Sequence, residues 1–448
     1  MVPDATSTSR RRFLGGLAGL AGLAGGATMI VGATEPTALP DAVTDWATKE
    51  YPTPPEVNSL WRPTVTEDHA RTVVSLLEDV TSEGNRLWKR VGDDPDHFHT
   101  GAGGWLETAR EELRNGNYHE ALFDATYGMQ FAAEDLGYAR AKLGNADLQR
   151  LGAQGADVLD RVEALTADLR PHPVADPGRD LAWYVEIENE LLSARHHVER
   201  YDVADPESDT DGGAGTTGTK YDPNEIGTTT AGLMNARIAI ENAERWYDHL
   251  SGTLDGPTTT PYGDHLLAVA GEFRDEVETF PTQESIESKH VDNDSPYGPY
   301  EFARSRLADW CLPNSFPSPW GAEVNDTFPV LEAVGYGTGV ARGRAHEFAV
   351  EHLVVDPGDD GFDSGHALAE KRRARRAYRS TVGSDPPPFL TRLVGRAVED
   401  LQVAKVGFAG SYRDVMWKER LEAYLYALVG RAKIWKFPAV YRTIVERS

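Results

Sequence analysis

Three glutamates, Glu186, Glu188 and Glu190, stand beside Trp183 and Tyr184. Carboxylates near aromatic rings are what glycoside hydrolysis uses, one acid and one base across the bond with rings stacked on the sugar. Alternate spacing spreads these three around a helix, so solvation competes with catalysis. His346-Glu347-Phe348-Ala349-Val350-Glu351-His352 invites comparison with a zinc helix, but its histidines are six apart and diverge by more than a right angle. Asp96, His97 and His99 form a polar cluster without a second ligand motif, which reads as an inter-helix loop. Asp356 to Asp363 has a calcium-loop outline. Gly358 replaces the second ligand, however, and Ala367 stands where a bidentate glutamate is needed. Gly335, Gly337, Gly339 and Gly343 lack nucleotide-loop spacing and instead suit close helix packing. Cys311, the single cysteine, reads as a small buried apolar residue and excludes an internal disulfide. No metal and no cofactor is expected.

Charge constrains the function further. The 448 residues carry 71 Asp+Glu against 45 Lys+Arg, a formal net charge of -26. Residues 371–448 reverse this, with 17 Lys and Arg against 7 Asp and Glu. The densest run holds Lys371, Arg372, Arg373, Arg375, Arg376 and Arg379, followed by Trp417, Tyr424, Tyr426, Trp435, Phe437 and Tyr441 among further cations. Two readings stand for this block: docking on the acidic remainder of the chain, or a surface for an external acidic partner or lipid. Only 10 of the cations are lysines, and an acidic, lysine-poor composition resembles that of haloarchaeal proteins. In molar salt, binding by counterion release is suppressed, so nucleic acid is not expected as a partner.

Positioning falls to helices. Thr64-Val65-Thr66-Glu67 reads as a capping box opening a stripe of Ala70, Val73, Leu77, Val80 and Leu87. Leu148, Leu151, Gly155, Val158, Val162, Leu165 and Leu169 alternate steps of three and four, as do Leu233, Ala236, Ile240, Ala243, Trp246 and Leu250. The expectation is an all-α chain, an irregular, solenoid-like array of about a dozen helices. Its parts are a signal segment (1–33), a Pro-containing tether (34–60) and helical blocks over 61–201, 231–370 and 371–448. A Gly/Thr/Asp-rich linker (202–230) separates the first two blocks. Residues 281–299 and the stretch around Pro313, Pro317 and Pro319 read as irregular. Trp105, the turn glycine Gly116 and the small Ala121 make residues 101–135 resemble a tetratricopeptide helical hairpin. Gly128 stands where that pattern has a second alanine, and 34 residues beyond Gly116 the chain has Arg150, so the repeat does not propagate.

Ser9-Arg10-Arg11-Arg12-Phe13-Leu14 resembles the twin-arginine (Tat) export signal, followed by an apolar, Gly- and Ala-diluted stretch to Ala33. Val31-Gly32-Ala33 offers a cleavage site, and the same stretch is long enough to remain as an anchor. The resemblance implies passage through the Tat translocase, an extracellular or cell-surface location, and membrane contact only through an uncleaved segment. Asn325-Asp326-Thr327 is a glycosylation sequon. Two functions are carried forward. One is an exported, non-catalytic helical scaffold that engages other envelope proteins. The other is an α/α-toroid-type hydrolase or lyase acting on glycans.

Overall fold

The computed structural model describes residues 35–52, 60–92, 94, 97, 99–200, 222–254, 259–290, 297–312, 327–406 and 416–447. Among them the fold is all-α, with fourteen α-helices and one antiparallel pair of two-residue strands, β1 (Pro173–Val174) and β2 (Thr260–Pro261). The export motif Ser9, Arg10, Arg11, Phe13 and Leu14 and the sequon residue Asn325 lie outside the described residues. No described helix is long and apolar enough to cross a membrane. The chain divides into two compact units.

The first unit comprises Pro63–Asp264 and Ser318–Leu331. It contains α2 (Glu67–Val91), α3 (Gly103–Asn115), α4 (Tyr118–Lys142), α5 (Leu148–Leu169), α6 (Pro177–Arg200) and α7 (Pro223–Leu254). Helix α2 starts at Thr66, whose side chain accepts from the His69 N–H at 3.2 Å, two residues later than the anticipated cap. It ends at Gly92, whose φ of 77° is open to glycine at little cost. All three apolar stripes are buried as their spacing requires. Helix α7 packs on α4 and α6, and α4 also packs on α2 and α3.

That packing corrects the expected linker. Residues 223–230 of that segment are not linker, because α7 begins at Pro223 and lies in the same unit as the helices before it. Of the segment's described residues, Gly227 and Thr230 lie in close contact with α4. A Cβ on Gly137 would stand 2.7 Å from the Ile226 carbonyl oxygen, and one on Gly227 would stand 3.0 Å from that of Glu134. Small residues that look like linker composition are here the means by which two helices approach.

The second unit gathers the described residues of Met1–Arg62, His265–Pro317 and Glu332–Ser448. It holds α1 (Asp41–Glu50), α8 (Gly263–Val277), α9 (Gln283–His290), α10 (Pro299–Cys311), α12 (Ser364–Val382), α13 (Pro388–Val406) and α14 (Met416–Val445). Helix α11 (Pro329–Glu351) counts in this unit from Glu332. Helices α12, α13 and α14 pack together, and α10 lies on α14. Two further expectations are corrected. The 34–60 tether contains α1, which packs on α12, and the irregular stretch 281–299 contains α9. Pro36 and Thr37 sit so close to Gly365 that a Cβ there would stand 2.6 Å from the Thr37 backbone. Two glycines of α11, Gly337 and Gly343, do serve close packing, since a Cβ on Gly337 would stand 2.6 Å from Val440 and one on Gly343 would clash with the Phe280 ring.

Candidate functional site

The most distinctive surface is on the α3–α4 hairpin. Its turn is made by Gly116 at φ 78°, with the Asn117 N–H donating to the Glu112 carbonyl at 2.9 Å. Ala121 is fully buried, whereas Trp105 is 36% exposed. Gly128 carries the closest approach. A Cβ there would stand 2.6 Å from Trp105 Cβ and 3.2 Å from Leu77 Cδ2, so α3 seats Trp105 directly on the α4 backbone.

From Trp105 a row of rings runs along α4. Phe123, Tyr127 and Phe131 are four residues apart and share one face. Ring centroids are 4.6 Å apart for Trp105–Tyr127, 6.3 Å for Phe123–Tyr127 and 5.4 Å for Tyr127–Phe131. Phe123 is 61% exposed and Tyr127 44%. Large aromatics so exposed are uncommon on a surface with no partner, and contiguous apolar patches mark sites of interaction. Carboxylates rim the row. Burial, then Glu120 and Glu112, push the Asp124 carboxyl above its usual range, and among the described residues no basic side chain offsets that rise. The face therefore joins apolar rings to negative charge. It suits a segment that brings aliphatic groups together with Lys or Arg, which can also sit over the rings. Sequence reasoning found the hairpin but missed the row, although the i, i+4, i+8 spacing of Phe123, Tyr127 and Phe131 is visible in the chain.

The three glutamates do not converge. Glu188 is fully buried and pairs with His172, Nε2 to Oε1 at 2.9 Å, while its other oxygen accepts the Leu331 N–H at 2.8 Å. Glu190 and Glu186 lie on another side of α6. Burial first, then the Glu186 charge, pushes the Glu190 carboxyl up to about 8, against a hydrogen bond from Asn242. Asn242 Oδ1 also meets buried His69 Nε2 at 2.7 Å. Nearby, a cavity of about 500 Å³ is lined by residues including Asp68, Arg71, Arg161, Arg237 and Glu241. Two of its acids are engaged: Arg245 reaches Asp68 at 2.8 Å and Glu241 at 2.7 Å. Arg161 lies 3.8 Å from Glu241 and grips Glu244 with both arms of its fork.

The histidine candidates also resolve into separate roles. His97 and His99 both approach the Asp135 carboxylate, at 3.2 and 3.5 Å, and the Gly101 N–H donates to it at 3.1 Å. His97 stacks on Tyr138 at 4.2 Å, and Trp88 packs parallel to Tyr138 at 5.6 Å. Asp135 thus fastens the loop down onto α2 and α4. Asp96 lies outside the described residues. His346 is buried while His352 is exposed and meets the Phe348 carbonyl, so the two are not co-ligands. Among the described residues no group of three His, Cys, Asp or Glu side chains is placed to hold a metal ion. Cys311 is buried, which pushes its thiol up to about 11.

The basic block is turned inward in part. Lys371 is buried and donates to the Thr48 carbonyl of α1 at 2.7 Å. Arg375 donates to the Pro52 carbonyl at 3.0 Å and lies over the Tyr51 ring. Arg373 pairs with Glu370 at 3.1 Å, and buried Arg431 pairs with the same carboxylate. Arg420 clasps Asp45 at 2.9 and 3.1 Å and also reaches Asp41. Arg372 is half-buried, while Arg376 and Arg379 are exposed. Of the six cations first considered as one surface, the structure therefore leaves Arg373, Arg376 and Arg379 facing outward, Arg373 already paired.

Two family matches follow the division of the chain. Residues 64–256 match a domain of unknown function (DUF8262), and residues 263–446 match a second domain of unknown function (DUF8264). No curated protein and no solved structure matches the chain.

Proposed function

We propose that the protein is an exported helical scaffold of the cell envelope that holds another protein on the aromatic, acid-rimmed face of the α3–α4 hairpin. The carrying observation is the row Trp105, Phe123, Tyr127 and Phe131 beside Glu112, Glu120 and Asp124. Export rests on Ser9, Arg10, Arg11, Phe13 and Leu14 and on the composition. The occupant is a segment bearing Lys or Arg among apolar residues. Rings supply the buried area, and the carboxylates select the charge. The glutamates that would have served a glycan hydrolase are divided between a buried His172 pair and the Asn242 network, which favours the scaffold reading over the catalytic one.

The test is capture from envelope fractions in native salt, comparing wild type with the exposed-ring variant Phe123→Ser/Tyr127→Ser and with Glu112→Lys/Asp124→Lys. Cross-linking should map the captured protein to a cationic, apolar segment, and both variants should lose it by at least tenfold. Capture indifferent to both variants, or retention on a glycan matrix with no protein recovered, rejects the proposal.

A further inference from the structure

The second unit contains, among its described residues, two buried arginines with different surroundings. Arg431 is paired with Glu370. Arg304 of α10 is only 8% exposed, forms no hydrogen bond or ion pair among the described residues, and has its Nε buried without an acceptor. A guanidinium out of water without a counter-ion is costly. His346 of α11, 4% exposed, likewise has a buried Nε2 without a partner. The two side chains sense one another and His290, the last residue of α9. Burial, then Arg304 and His290, hold the His346 imidazole down at about 4, and burial, Arg304 and Lys289 lower that of His290. No carboxylate enters at either imidazole among the described residues, in a chain whose acids outnumber its cations by 71 to 45. Elsewhere in the unit arginines have found acids, as Arg344 has Glu276 at 2.6 and 2.7 Å.

We propose that Arg304, His346 and His290 form a binding site for a small inorganic oxyanion of the phosphate or sulfate class. The guanidinium fork supplies charge and directed donors, and the two imidazoles supply N–H groups, that of His346 without adding charge. An ion seated there satisfies the buried Nε of Arg304 and Nε2 of His346 together. Burial of both groups favours a free ion over a group displayed on a bulky surface.

Calorimetric titration of inorganic phosphate into the full chain at fixed potassium chloride, paired with phosphorus line widths, tests this. Wild type should take up one ion per chain, Arg304→Gln should bind at least tenfold more weakly, and Arg304→Lys should lie between them. Absence of uptake by wild type, or equal affinity in Arg304→Gln with its helical circular dichroism intact, overturns the proposal. If Arg304→Gln does not fold, His290→Ala at the half-buried end of α9 replaces it. A several-fold loss is then expected, and unchanged affinity overturns the proposal.

Discussion

Single side chains in this protein take their character from what packs on them rather than from their neighbours in sequence. Glu190 is the clearest case. Its carboxyl is pushed up to about 8 by burial and by Glu186, so the folded state holds a proton that the unfolded chain releases near 4.5. A folded-state value raised above the unfolded one contributes stability in full below about pH 4.5, lost as pH rises through 8. Glu190→Gln, which keeps the shape and the hydrogen bond to Asn242, should remove that decline. Melting temperatures of the two proteins should diverge in the variant's favour from pH 5 to pH 8, and parallel curves would show that Glu190 ionises freely in the fold. Glu188, two residues away, has a different fate because it is matched by His172 and two backbone N–H groups. Alternate spacing in the sequence signalled that these acids diverge. It carried no information on which one is matched.

At the scale of elements, small residues decide where helices cross. The α3–α4 hairpin was legible from Trp105, Gly116 and Ala121, since a turn glycine between two helical stretches is a local signal. The crossing point was not, because Gly128 and Trp105 meet only when the two helices fold back. Gly128→Ala gains helix propensity of about 1 kcal/mol but places a Cβ 2.6 Å from Trp105 Cβ. That contact involves the root of a side chain, which cannot swing aside, so the net change should be a loss of about 1–3 kcal/mol. Denaturant unfolding measures it, and neutral or increased stability would mean that α3 is free to shift outward. Helix α1 makes the complementary point. Its Pro-flanked sequence reads as tether, yet it has partners in α12 and α14: Lys371 on the Thr48 carbonyl and Arg420 on Asp41 and Asp45. Those partners are more than three hundred residues away, beyond the reach of any sequence window.

For the molecule as a whole, the net charge of -26 is a difference between an acidic body and a basic C-terminal block. Several of the block's cations are engaged inside its own unit by Glu370, Asp400, Asp41, Asp45 and backbone carbonyls. Such short, partly desolvated pairs survive salt, whereas repulsion among exposed carboxylates is screened once the Debye length falls from about 10 Å at 0.1 M to about 3 Å at 1 M. The melting temperature should therefore rise steadily between 0.1 and 2 M KCl. A melt indifferent to KCl would remove the argument that this composition is suited to brine.

The sequence by itself determined that the chain is helical and where several of its helices lie. An amphipathic stripe such as Leu148 to Leu169 needs only the spacing of neighbours along one helix, and that spacing is written in the chain. Tertiary structure decided the rest: that 223–230 begins a core helix, that α1 docks, which basic residues face inward, and that four rings remain on a surface. Each of these depends on which distant helix lies alongside, and so on contacts whose partners are far apart in the chain. The aromatic row and the unpaired Arg304 are both of that kind. Neither is defined by a residue type, only by what folding left uncovered or unmatched.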